Sequence, residues 1–235
     1  MQHLTRRGFV SGAAALGMAF GSAGTAEGQL VWKTGDWNTA TFEALVKHPA
    51  RVKQVYDVVH IGNGMFLNNV KNSLNGLEFG FGVPRRQIKI AVAMHGPANM
   101  LNYDDYVWSK YRVGEWLKVV DPETGKPAVR NFFVGKDTAA AASATAQNPD
   151  SEDSMYQARD MATLRHRGVE FLSCHTATEE QVRALIRLRK MSQSPEEIVK
   201  DMLAHTVEGT IVVASMVAAI ALLQTDGRFT YITVA

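Results

Sequence analysis

Short β-branched runs alternate with segments of helical spacing along most of this chain, and that alternation limits what it can fold into. The runs are VYDVVHIG (55–62), QIKIAVAMHG (87–96), GVEFLSC (168–174), GTIVVAS (209–215) and FTYITV (229–234). Buried strands read this way. Between the first two, MFLNNVKNSLNGLEF (65–79) sets Phe66, Val70, Leu74 and Leu77 on one helical face. YDDYVWSKYRVGEWL (103–117), EEQVRALIRLRKM (179–191) and MVAAIALLQTDG (216–227) are further predicted helices. SPEEIVKDML (194–203) begins another, with Ser194 as N-cap, Pro195 at N1 and Glu197 at N3. Strand followed by helix, repeated, predicts an α/β fold: a three-layer α/β/α sandwich around a mostly parallel sheet of about five strands. The apolar run 211–223 is too short to cross a bilayer. It starts β-branched, so it reads as a buried strand entering a buried helix.

The chain has 235 residues, enough for one sizeable core. Its formal charge of +2 supplies no basic field for nucleic acid. One cysteine forms no internal disulfide, so the core must hold the fold. No P-loop, zinc-finger or dinucleotide fingerprint is present. The N-terminus reads as a targeting segment. Arg6-Arg7 precedes the mildly apolar GFVSGAAALGMAF, and GTA ending at Ala26 offers small residues for cleavage. This resembles a bacterial twin-arginine export signal and predicts a periplasmic protein that is free of the membrane after cleavage. Loss of 1–26 removes two arginines and no acid, leaving 23 basic and 23 acidic residues. The expected organisation is a signal peptide at 1–26, an N-terminal arm at 27–52 with a short helix in NTATFEALVKH, and one domain at 53–235. Residues 118–154, rich in turn signals and small polar residues, break the rhythm and predict a surface insertion.

Ligands of open α/β sheets bind beyond the carboxyl ends of the strands. The first predicted strand ends in His60-Ile61-Gly62, the second in Met94-His95-Gly96, the third in Ser173-Cys174-His175. His60, His95, Cys174 and His175 should therefore meet at one edge. Thr178-Glu179-Glu180-Gln181 fits a capping box, with Thr176 as a second candidate cap. A thiol just before a helix start feels the positive end of the dipole, which favours thiolate. His175 and His95 are placed to manage its proton. Glu179 and Glu180 would oppose the thiolate if they faced it. His48, His166 and His205 have no partner in view and read as surface residues.

The order and spacing of VVHIG, NNVKNSLNGL, IAVAMHGPA, VEFLSCHTA and VVASMVAAIALLQTDGRFTYI resemble the DsrE/DsrF-like sulfur-metabolism proteins. The closing LLQTDGRFTYI is the most specific piece. The resemblance covers roughly 53–235 without the insertion. It implies a small, usually oligomeric α/β/α sandwich with no organic cofactor. Some members accept sulfur as a persulfide at the end of the third strand, the position of Cys174. An export signal and Ala214-Ser215-Met216, where relatives often have a glycine, depart from the family pattern.

Three functions follow as expectations. The first is an exported protein that binds or transfers sulfane sulfur through Cys174, with His175 or His95 assisting, and with a sulfur donor or acceptor protein or a small sulfur compound as partner. The second is a copper or zinc protein using His60, His95, Cys174 and His175. The third is a non-catalytic homo-oligomeric module that binds a partner. An open thiol favours the first, converging histidines the second, and a buried thiol the third.

Overall fold

The computed structural model of the chain describes residues 31–135 and 148–234. The expected signal peptide, and residues 136–147 of the expected insertion, lie outside the described residues. Five strands form one all-parallel sheet: β1 (Val52–Val58), β2 (Ile88–Met94), β3 (Val169–Cys174), β4 (Ile211–Val213) and β5 (Thr230–Thr233), in the order β4-β3-β2-β1-β5. The three-layer α/β/α expectation holds, and the sheet is parallel throughout.

The eight α-helices among the described residues are α1 (Thr39–Val46), α2 (Met65–Asn75), α3 (Asp105–Lys110), α4 (Val113–Leu117), α5 (Met161–His166), α6 (His175–Arg189), α7 (Pro195–Leu203) and α8 (Met216–Thr225). The chain steps β1, β2, β3, β4 in one direction, and α2 to α7 pack against one face of the sheet. From β4 it must return past three strands to reach β5. A right-handed crossover running in the reverse direction lays its helix on the opposite face, and α8 lies there with α1. The two faces carry separate cores. The larger includes Phe66, Trp108, Tyr103, Phe171 and Leu185, and the smaller includes Phe42, Val55, Leu172, Cys174 and Leu223.

Several boundaries differ from the sequence reading, each for a local reason. The 103–117 helix is broken between α3 and α4 by Arg112, which sits at φ 45°. The chain from Val119 to Val134 does not run free over the surface. Ala128 and Phe133 are buried, Arg130 chelates the buried Asp121 carboxylate, and the Ala128 backbone lies so close to Gly114 that a Cβ there would stand 2.3 Å from the Ala128 carbonyl oxygen. This first half of the insertion is part of the packed domain. Ser194 and Glu197 form a capping box at the start of α7, with Pro195 at N1 as expected. No helix among the described residues is long and apolar enough to cross a membrane.

Candidate functional site

Cys174 closes β3 and is itself the N-cap of α6, which starts at His175. The expected capping box at Thr178–Gln181 is therefore not formed. Thr178 lies inside the helix, fully buried, where its Oγ1 meets the Tyr103 hydroxyl at 2.6 Å and accepts from Asn99 Nδ2 at 2.9 Å. The sulfur replaces the expected threonine cap. Cys174 Sγ accepts the Ala177 N–H at 3.3 Å and the Met216 N–H at the same distance.

Those two donors belong to different helices. After β3 the chain turns to one face through α6, and after the neighbouring β4 it turns to the other face through α8. Where connections from adjacent parallel strands diverge, a crevice opens at their carboxyl ends, the usual ligand position in such sheets. Cys174 stands at that divergence, with the N-terminus of a helix on either side. Thr176 ties the two turns together, its N–H and Oγ1 both donating to the Ala214 carbonyl, at 3.3 and 2.9 Å. Ser215 gives α8 no side-chain cap, so the thiol of the neighbouring strand serves instead.

Asn99 fixes the cysteine from behind. Its Oδ1 accepts the Cys174 N–H at 2.9 Å and the Ser173 hydroxyl at 3.0 Å. Both Asn99 and Ser173 are fully buried. The sulfur is nearly so, with Cys174 only 4% exposed. Burial pushes the thiol up from its ordinary value; the Ala177 and Met216 N–H groups pull the other way and lose, and the charge of Glu180 adds to the rise. The sequence weighed the helix dipole and could not weigh desolvation. The expectation of a thiolate in the resting protein is thus corrected: Cys174 is a protonated thiol.

The histidines separate. His175 is buried beneath Trp32, their rings stacked 3.7 Å apart at 24°, and its Nδ1 has no hydrogen-bond partner. Burial lowers its pKa, against the opposing charge of Glu179, so the ring is neutral near pH 7. Glu179 is held within α6 by Arg183 at 2.7 Å. His95 follows β2, and its Nε2 lies 2.7 Å from Asp57 Oδ1. The Tyr231 hydroxyl donates to Asp57 Oδ2. Gly96, at φ 52°, turns the chain back so closely that a Cβ would press on Val59, and Gln181 of α6 donates to its carbonyl. His60 lies two residues beyond β1 and is exposed, beside a small recess with Ile61 and Met65. Among the described residues no three His, Cys, Asp or Glu side chains are placed to hold a metal ion. The expected set of His60, His95, Cys174 and His175 does not converge, because β1 ends early and His95 and His175 are engaged elsewhere. His205 is corrected as well: it stacks on Tyr106 and meets Asp104 at 3.1 Å.

Sequence reasoning missed Asn99, Asp57 and Tyr231. Asp57 carried a signal, an acid inside a β-branched run. Asn99 and Tyr231 carried none, since only the fold brings them to their partners. An apolar cleft of about 410 Å³ runs between α1 and α8, with Phe42, Val46 and Leu222 on its walls and Ser215 at the end nearest the thiol. A further cavity of about 700 Å³ lies beside Asp104, Tyr106 and Arg130, with neither Cys174 nor His95 in its lining.

No known family profile matches the chain, and no curated protein matches it. A solved structure, "Protein of Unknown Function MTH1491 from Methanobacterium thermoautotrophicum", is similar to it with a TM-score of 0.38 and 16% identity, over 78% of this chain and 99% of that one.

Proposed function

We propose that this protein is a carrier of sulfane sulfur, holding it as a persulfide on Cys174. One observation carries the reading: Cys174 Sγ sits at the divergence of β3 and β4 and receives N–H donors from the first turns of two helices. Two N-terminal dipoles aimed at one sulfur suit an acceptor that gains negative charge. A persulfide is such a group. Loading is an exchange with a donor persulfide of a thiol, R–S–SH. The Cys174 sulfur bonds to the outer sulfur, the donor S–S bond breaks, and R–SH leaves with one proton. No oxidant or reductant is consumed.

The Arg6-Arg7 leader supports placing this carrier in the periplasm. Val217, Leu222 and Tyr231 are exposed on the same side of the sheet, which supports assembly with further copies of the chain. A second reading is favoured by burial itself: a module in which Cys174 only caps two helices and the oligomer binds a partner. Intact-mass measurement after exposure to glutathione persulfide separates the two. The carrier gains one sulfur atom, which is lost on treatment with dithiothreitol and never acquired by Cys174→Ser. A wild-type protein that stays unmodified while folded is the module.

A further inference from the structure

The thiol shares its face of the sheet with a polar line that reaches across three strands. Side chains alternate along β1 and β2. Tyr56, Val58, Val92 and Met94 belong to the larger core, while Val55, Ala91 and Ala93 belong to the smaller. Asp57 therefore faces the smaller core, as Cys174 does. His95 lies on that side too, since its Nε2 reaches Asp57 Oδ1 at 2.7 Å. Met94 pairs with Ser173, so the next residues, His95 and Cys174, stand at neighbouring positions on strands about 4.8 Å apart. Tyr231 on β5 completes the line by donating to Asp57 Oδ2. Tyr231, Asp57, His95 and Cys174 thus succeed one another across β5, β1, β2 and β3.

A carboxylate hydrogen-bonded to one ring nitrogen fixes a histidine's tautomer. With Nε2–H donated to Asp57, Nδ1 is left as the base. The polar line is partly open, with the His95 and Asp57 side chains 23% and 19% exposed, whereas His175 is sealed under Trp32 and its Nδ1 meets nothing.

We propose that Asp57 and Tyr231 are positioning residues that hold His95 as its Nε2–H tautomer, and that His95 Nδ1 takes the proton of Cys174 when sulfur is loaded. The inference rests on the carrier reading and names the base it needs. In the step, Nδ1 removes the thiol proton and Sγ attacks the outer sulfur of R–S–SH. The donor S–S bond breaks with its electron pair on the inner sulfur. His95 returns the proton there, giving R–SH and Cys174–S–SH. A thiol kept protonated by burial needs such a base, and of His95, at the neighbouring strand position, and His175, next along the chain, only His95 has both solvent access and a carboxylate partner.

The test uses the full chain with ¹⁵N-labelled histidine and glutathione persulfide as the donor. Long-range ¹H–¹⁵N spectra should show His95 as the Nε2–H tautomer in the wild type and as a mixture in Asp57→Asn. The rate of sulfur uptake at Cys174, read by intact mass, should fall about a hundredfold in His95→Ala. It should fall about tenfold in Asp57→Asn, with Asp57→Glu restoring part of the rate. Tyr231→Phe sits on an edge strand and keeps the fold if Asp57→Asn does not. It should also slow uptake and disturb the His95 signals. Uptake at the wild-type rate in folded His95→Ala, or an unchanged tautomer in Asp57→Asn and Tyr231→Phe, overturns the proposal. That outcome leaves the carrier reading intact, because the carrier reading fails only if the wild-type protein takes up no sulfur.

Discussion

The two faces of the sheet are built to different standards. One is covered by α2 to α7 and buries large rigid side chains, with Trp108, Tyr103, Phe171 and Leu164 essentially inaccessible. The other has only α1 and α8, a smaller core and an open apolar cleft between the two helices. Every candidate group of the site belongs to the thin face or its rim: Cys174, Asp57, His95 and His175 beneath Trp32. The thick face supplies stability and holds the strands in register. The thin face supplies the crevice, because α8 arrives there only by the reversed crossover that also brings its N-terminus to the sulfur. A sheet whose connections all ran to one face would have no such divergence.

The largest expected effect lies on the thick face. Trp108 fills the core and donates its indole N–H to the Met100 carbonyl at 2.9 Å. Trp108→Ala should cost about 3–5 kcal/mol of unfolding free energy, measured by urea denaturation, with no specific change in Cys174 reactivity before unfolding. A loss under about 1 kcal/mol would deny that the thick face carries the stability.

Next comes the residue that joins the faces. Asn99 makes bonds to Ser173, Cys174 and Thr178, all of them buried. Asn99→Ala strands the Cys174 N–H and should cost about 1–3 kcal/mol. It should also speed alkylation of Cys174 by iodoacetamide in the folded protein, because the sulfur loses its fixed position. Equal alkylation rates in the two folded proteins would show that the sulfur is held by α6 and α8 alone.

The thick face was legible in the sequence and the site was legible only in outline. Helical spacing in 65–79, the capping box at Ser194 and the β-branched runs each state a local preference that the fold keeps. The edge carrying His95 and Cys174 followed from strand order along the chain. What stayed hidden depended on distances between remote segments. The cap of α6 went to a sulfur in place of Thr178, because Asn99 and Tyr103 claim that threonine from another element. The thiol's protonation turned on burial by α1 and α8, which no spacing encodes. His60 was placed at a strand end that comes two residues early, and strand ends are where local pattern says least.

The smallest expected effect is a pH dependence confined to the thin face. His175 is buried beside Trp32, and burial lowers its pKa in the folded protein. The unfolded chain therefore binds a proton below about pH 6.5 that the folded chain resists. More protons on the unfolded state means that stability falls as pH drops from neutrality. It is fully kept above the unfolded value. An indole stacked 3.7 Å from the ring opposes this, since a protonated imidazole gains attraction to the aromatic face. The Glu179 charge opposes it as well. Desolvation outweighs both, because Nδ1 has no partner to accept its proton. His175→Gln should therefore flatten the decline of the urea midpoint between about pH 7.5 and pH 5. Trp32→Ala, which opens the ring to solvent, should flatten it in the same direction. Parallel slopes in the wild type and His175→Gln would mean that the Trp32 stack offsets the cost of burial, and that the arm holds His175 equally well in either protonation state.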